Sequence, residues 1–436
     1  MKVRILGSGM AGYGATHHLR AAGITPDVYD KNAYPFGHTF SVEHKASGFV
    51  FDDGPHVSFT KDKRIQDLFA EFVGGEYEEF STYVNNRWRD RWIKHPCIAN
   101  LHGLPPDILV DCIADFIKAQ NAEPPEINNY EDWLLASYGR TYYEQFPRDY
   151  TIRYHTVEPS QMSTDWVGQR LYQADIKEVL KGAFSPETED FHYIQIIRYP
   201  KGGGFQSYLK PFTDWVDIQL NHKVVKIHPG NKRVGFANGS EIDYDYLVSS
   251  IALPDLVKMI EGVPPDVLAA ADRLACTSCV LVNIGLNTDA FTKAHWTYFY
   301  DMDYSFTRLS FPHNLSKSTC PPGCGAIQAE VYFSKKYKPM TGKPDDYIEP
   351  VIRDLRRCGL IKDADEILFR NATFADYANI IFDLERAATL ATVHGYLDDV
   401  GIRYCGRYGD WGYMWTDDSF KSGERAAQSI LDETSS

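Results

Sequence analysis

The residues able to do chemistry begin at the seventh position. Gly7-Ser8-Gly9-Met10-Ala11-Gly12 sets three glycines at the spacing of a turn that receives a pyrophosphate. Gly7 suits the tight turn, Gly9 lets an anion approach the backbone, and Gly12 lets the following helix pack closely on the preceding strand. Unpaired N–H groups at the helix start, with the helix dipole, favour negative charge there. Asp30 stands about 20 residues on, where a carboxylate accepts hydrogen bonds from ribose hydroxyls. The pattern predicts a dinucleotide site. The plain alternative is a glycine-rich turn in an ordinary α/β protein, against which the flanking strand, helix and acid all count. A second glycine-rich stretch lies near the other end, Gly406-Arg407-Tyr408-Gly409-Asp410-Trp411-Gly412-Tyr413. Thr416-Asp417-Asp418 follows, and either aspartate can cap a helix running through Gly423-Glu424-Arg425.

These groups need elements to hold them. Residues 3–6 read as a short apolar strand, residues 15–22 as helix stopped by Gly23, and residues 27–29 as a second strand ending at Asp30. A β-rich segment leads to Phe49-Val50-Phe51-Asp52-Asp53-Gly54-Pro55-His56. Residues 61–145 carry helical patterning, as at 65–72 and 108–119, broken by Glu123-Pro124-Pro125-Glu126. Residues 190–250 return to strands and turns, and 247–251 reads as a buried strand rejoining the nucleotide-binding sheet. A second, antiparallel sheet is predicted within 275–335, from 280–286, 296–300, 306–311 and 326–333. A last helix is expected from about Asp418.

Composition narrows the functions open to the chain. Its 436 residues allow two or three domains. Fifty-nine acids against 45 lysines and arginines give a net charge of −14, which argues against a whole-chain partner made of nucleic acid or anionic lipid. The short cluster Arg87-Trp88-Arg89-Asp90-Arg91-Trp92 is read as a solvated or pocket-lining strand. Aromatic residues reach 14%, enough to build pockets that grip flat or sugar-like ligands. No run approaches the roughly 18 apolar residues of a membrane span, and the N-terminus leaves no room for a signal peptide, so a cytoplasmic protein is expected. Eight scattered cysteines fit that compartment without a disulfide framework. Cys276, Cys279, Cys320 and Cys324 could in principle ligate zinc, but the first pair borders an apolar strand, so buried thiols and no metal are expected.

The glycine–acid pattern, followed by Gly37-His38-Thr39-Phe40-Ser41, resembles the FAD-binding fold shared by amine oxidases, protoporphyrinogen oxidase and UDP-galactopyranose mutase. Four further segments, in order, resemble UDP-galactopyranose mutases in particular. They are Gly54-Pro55-His56-Val57-Ser58-Phe59-Thr60, Gln169-Arg170-Leu171, Ser305-Phe306-Thr307-Arg308-Leu309, and Gly406-Arg407 with Tyr413. Phe59 stands where that family has a second histidine, and His155 near where it has a tryptophan. The resemblance implies an α/β fold: a Rossmann-like FAD-binding domain of the glutathione-reductase type, an antiparallel-sheet substrate domain and a helical subdomain. It implies a discontinuous layout, with residues 1–60, 190–265 and 395–436 binding FAD, 61–189 forming a mainly helical cap, and 266–394 a β-sheet substrate domain. Cofactor contacts are implied at Gly7, Gly9, Met10, Ala11, Gly12, Asp30, Lys31, Gly37, His38, Thr39, Val225, Gly406, Arg407 and Asp418.

The resemblance also implies a reaction. N5 of reduced FAD attacks the anomeric carbon of a nucleotide sugar, and reclosure exchanges pyranose for furanose with no net redox change. Arg170 and Arg308 would grip the diphosphate, because the planar guanidinium binds phosphate oxygens bidentately. Tyr413 would add a neutral donor, and His56 would sit beside the flavin. Taken alone, each arginine is equally at home in a surface salt bridge and His56 in a structural hydrogen bond. The same FAD motifs fit an oxidoreductase of the amine oxidase or protoporphyrinogen oxidase type, or a flavin-binding protein without catalysis.

Overall fold

The computed structural model describes residues 1–168, 171–189, 191 and 194–435. Its nucleotide-binding half is a five-stranded parallel sheet in the spatial order Ile402–Tyr404, Tyr246–Ser249, Val3–Leu6, Asp27–Tyr29, Ile218–Gln219. Parallel neighbours need crossover connections, and the first is the helix Met10–Ala21. That helix lies against the C-terminal helix Thr416–Ser435 backbone to backbone. A Cβ on Gly14 would fall 2.0 Å from the Phe420 carbonyl oxygen, and one on Gly423 would fall 1.9 Å from that of Ala11. Glycine at both positions is what lets these two helices approach so closely.

The second half is a seven-stranded, mostly antiparallel sheet. Its order is Ile367–Ala375, Thr277–Leu286, Gly325–Ser334, Arg308–Ser310, Trp296–Phe299, Val84–Trp88, Arg91–Lys94. Thr277–Leu286 and Gly325–Ser334 are buried along their whole lengths because both faces of the sheet are covered. The predicted second sheet is therefore present, widened at both edges.

One widening corrects the helical reading of 61–145. Tyr77–Ser81, Val84–Trp88 and Arg91–Lys94 are strands. Tyr77–Ser81 pairs with Ile196–Pro200, and Val84–Trp88 runs parallel to Trp296–Phe299. These two partners lie more than a hundred residues away, so pairing rather than local pattern decided both strands, and Arg91–Lys94 completes a hairpin on Val84–Trp88. The remainder of 61–189 is largely helical, including Pro106–Asn121, Tyr130–Tyr138 and Pro147–His155. The glycine run at 202–204 leads into a helical turn and the helix Lys210–Trp215, which the strand-rich reading of 190–250 did not include. Among the described residues, no helix is long and apolar enough to cross a membrane.

Candidate functional site

A cleft of about 810 Å³ runs between the two sheets, and the glycine-rich segments from both ends of the chain line it. At one end Gly7 adopts φ +106°, a left-handed conformation that side chains rarely take, and a Cβ there would meet the Ser250 hydroxyl at 2.1 Å. Gly9 precedes the helix Met10–Ala21, whose N-terminus has no side-chain cap. Its first N–H groups are therefore available to an anion. Gly12 lies outside the cleft lining; a Cβ on it would come within 2.1 Å of the Gly7 carbonyl oxygen, so its part is to let helix and turn touch. The second loop nestles on the first, with a Cβ on Gly37 only 3.2 Å from the Gly9 Cα.

Asp30 is buried at the cleft wall. Its carboxylate accepts the Ser8 N–H at 2.9 Å, the Ser8 hydroxyl at 2.6 Å and the Asn32 N–H at 2.9 Å. The glycine turn and the acid thus form one braced unit, with the carboxylate held at the sheet's carboxyl end. Met10, Ala11, Lys31, His38 and Thr39 also line the cleft. His38 Nδ1 lies 2.7 Å from an Asp53 carboxylate oxygen.

Two of the residues expected to contact the cofactor lie outside the cleft lining. Val225 is half exposed on the outer face of the strand Val224–His228, while its neighbour Val224 lines the cleft. The pairing register shifts between Val224 and Lys226, so Val225 is the extra, unpaired residue of a β-bulge and is left facing outward. Asp418 is not part of the lining; the helix starts at Thr416, and the Asp418 carboxylate accepts the Trp415 N–H at 3.3 Å. Thr416 and Ser419 occupy the cleft wall there instead. At Gly406, φ is +79° and a Cβ would sit 2.7 Å from that of Ala11, so the C-terminal loop passes directly over the first helix.

At the opposite end, Arg308 projects from the seven-stranded sheet. Its guanidinium pairs with both oxygens of buried Glu330 on the neighbouring strand, one of them at 2.8 Å. Burial pulls the Arg308 pKa down, but Glu330 more than offsets this and holds it well above its ordinary value. Arg308 therefore presents a permanently charged, orientationally fixed fork. Its guanidinium carbon lies 5.8 Å from the centre of the Tyr154 ring. The Tyr154 hydroxyl is 3.3 Å from that of Tyr413, and the Arg407 guanidinium lies 5.6 Å from the Tyr413 ring centre. Burial keeps Tyr154 protonated far above its ordinary range. A chain of cation, phenol, phenol and cation so links the antiparallel sheet to the C-terminal loop.

Arg407 is mainly a clamp. It donates to the Met414 carbonyl at 2.9 Å and the Ala378 carbonyl at 3.1 Å. His56 Nδ1 donates to the Gly54 carbonyl at 2.8 Å, which makes Nδ1 the protonated nitrogen. Burial pushes the pKa of His56 down to about 4 against the pull of Asp53, so the ring is neutral at neutral pH. Arg170 lies outside the described residues.

Three site residues escaped the sequence reading. Tyr154 closes the helix Pro147–His155 beside Arg153, whose buried guanidinium gathers the carbonyls of Phe299, Asp301, Tyr304 and Phe306. Tyr298 faces Arg308 across the strand pair. Glu330 had a legible signal: a carboxylate inside a largely apolar ten-residue strand needs a buried cation.

Residues 5–72 match the family of NAD(P)-binding Rossmann-like domains. Over the whole chain, the fold matches a crystal structure of reduced UDP-galactopyranose mutase. The TM-score is 0.92 and the identity 24%, across 99% of this chain and 95% of that one. A protein from Exiguobacterium sp. 255-15, named as a candidate protoporphyrinogen oxidase, matches with TM-score 0.76 and 15% identity, over 99% of both chains. A Pyrococcus furiosus protein matches at 0.64 and 16%, over 99% of this chain and 98% of that one. The chain has the fold of UDP-galactopyranose mutase, with its Rossmann-like nucleotide-binding half and its antiparallel second sheet.

Proposed function

We propose that this chain is an FAD-dependent nucleotide-sugar mutase that interconverts pyranose and furanose forms and works with the reduced cofactor. The proposal keeps the three-part layout, with residues 1–60, 190–265 and 395–436 around FAD, and 61–189 and 266–394 around the sugar nucleotide. The residues present fit FAD. Gly7, Gly37 and Gly406 line the cleft where loops pack too closely for a side chain, the first helix offers an uncapped N-terminus for the pyrophosphate, and Asp30 stands ready for a ribose. The chemistry FAD supplies when bound and reduced is that of a nucleophilic ring nitrogen able to displace a nucleotide diphosphate from an anomeric carbon.

The protein's own part is positioning and charge placement. Arg308, aimed by Glu330, binds the departing diphosphate, and Arg170 is proposed as its second cation. Tyr154 and Tyr413 donate neutral hydrogen bonds to the same group without adding a charge that would hold the product. Neutral His56 keeps positive charge away from the reacting face, and the enclosing sheets exclude water that would hydrolyse the activated sugar. The observation that carries this reading is the Arg308–Glu330 fork set against the Tyr154–Tyr413 hydroxyl pair in the same cleft as the glycine turns.

Anaerobic, dithionite-reduced protein given UDP-, GDP- or dTDP-hexoses should form furanose products, and the oxidised protein should form none. Equal activity in both states, or no product from any of these sugars, would overturn the mutase. A substrate-dependent burst of hydrogen peroxide would point to an oxidoreductase in its place.

A further inference from the structure

Among the side chains that line the cleft, His155 has no polar task within the protein. It ends the helix Pro147–His155 and is only 4% exposed. Its Nδ1 is fully enclosed, and neither ring nitrogen has a hydrogen-bond partner among the described residues. Buried polar side chains are as a rule paired, so an imidazole left without a partner at a cleft wall points to a ligand. Burial alone sets its pKa, pushing it down to about 3, and no neighbouring charge offsets this.

The surroundings are aromatic. The imidazole meets the Tyr154 ring edge to face at 4.9 Å and lies 5.2 Å from the Trp166 ring. Trp166 in turn stacks on Tyr413 at 5.9 Å and meets Tyr130 edge to face at 4.9 Å. All of these side chains line the cleft. His155 therefore stands beside the Tyr154–Tyr413 hydroxyl pair, at the end of the cleft that holds Arg308.

The chemistry of the ring narrows what it can meet. A neutral imidazole carries one donor, one acceptor and no charge. A diphosphate oxygen calls for donors and positive charge, which Arg308 supplies. A hydroxyl both donates and accepts and is neutral, so it matches the ring. With the diphosphate held by Arg308, Tyr154 and Tyr413, the hexose carries the first hydroxyl beyond it, nearer along the bonds than any on the ribose. Because Nδ1 is enclosed, Nε2 is the nitrogen that such a hydroxyl can reach.

We infer that His155 is a specificity-determining residue whose Nε2 hydrogen-bonds a hydroxyl of the hexose. This rests on the nucleotide-sugar reading and deepens it.

The test pairs variants of His155 with deoxygenated sugars. The parent ligand is whichever UDP-, GDP- or dTDP-hexose the oxidised holoprotein binds most tightly. Its 2-, 3-, 4- and 6-deoxy analogues and the matching nucleoside diphosphate complete the set. Calorimetric titration measures binding, and furanose formation by the reduced protein measures turnover. Removing one of the hydroxyls should weaken binding to the wild type about 10-fold, the upper range for a neutral hydrogen bond. In His155→Phe, which keeps a ring without polar atoms, parent and that analogue should bind within about twofold of each other. His155→Gln should restore part of the difference, and both variants should bind the nucleoside diphosphate as the wild type does. Yellow cofactor at full stoichiometry shows that each variant is folded. If His155→Phe penalises every deoxy analogue as the wild type does, the assignment falls, and furanose formation keeps the mutase standing. Equal weakening of the nucleoside diphosphate by His155→Phe overturns the hexose as the partner and places the contact on the nucleotide. Coupling to one hydroxyl without any furanose product overturns the mutase and leaves His155 as a sugar contact.

Discussion

At the residue scale, the site turns on how one cation is held. An arginine in an apolar strand is costly unless its donors are filled, and Glu330 fills two of them while fixing the plane of the guanidinium. The remaining N–H groups then face the cleft in a defined direction, which is what bidentate phosphate recognition requires. Lysine keeps the charge but not the fork. Arg308→Lys should therefore raise KM for a nucleotide sugar about 10- to 100-fold, consistent with loss of one charged hydrogen bond. Steady-state kinetics of the reduced protein checks this, and a KM unchanged within twofold would remove Arg308 from the diphosphate site. Glu330→Gln leaves one neutral acceptor beside the guanidinium, and its effect should fall on the same parameter.

At the scale of elements, the nucleotide end depends on how closely two helices pass. Met10–Ala21 and Thr416–Ser435 meet through Gly14 and Gly423, where any side chain would collide with a carbonyl of the opposite helix. The same contact carries the Gly406 loop over Ala11, so helix spacing and cleft shape are set together. Gly423→Ala should push the helices apart and destabilise the fold by about 1–3 kcal/mol, the usual range for overpacking. Cofactor retention should fall with it. Differential scanning calorimetry and the flavin absorbance of the purified variant report the two effects, and a wild-type melting temperature would show that the helices tolerate separation. By contrast Gly395, with open space around its Cβ position, offers a control helix glycine at which alanine should be neutral or stabilising.

At the scale of the whole molecule, the two sheets enclose histidines that are kept neutral. Burial lowers the pKa of His155 to about 3, and those of His295 and His313 to about 4, although backbone contacts at the last two work the other way. Because the unfolded chain binds protons at these sites near pH 6.5 and the folded chain does not, stability is full above that pH and falls as pH drops towards 4. Asp52 opposes this. Burial raises its carboxyl to about 6 despite hydrogen bonds from Ser41, Tyr199 and Phe205, so it favours the fold between pH 6 and 4. With His56, these depressed histidines outweigh one raised carboxylate, and the melting temperature should decline steadily from about pH 6.5 to 4. A flat profile across that interval would mean that water reaches these rings.

The nucleotide end was legible in the amino-acid order because its determinants are local. Gly7 is required by its left-handed φ and Gly12 by its contact with the Gly7 carbonyl, both within a single turn, and Asp30 lies one strand away, so spacing alone carries the geometry. The substrate end was only partly legible. Arg308 and Tyr413 could be named, but Glu330 22 residues on and Tyr154 on a distant helix join them only because the seven-stranded sheet and the C-terminal loop converge. The same holds for Tyr77–Ser81 and Val84–Trp88, which pair with partners at 196–200 and 296–299. Backbone conformation within a turn is decided by neighbours in the chain. Burial, paired charge and strand register are decided by neighbours in space, and these determine where the cleft places the Arg308 guanidinium and the two phenols beside it.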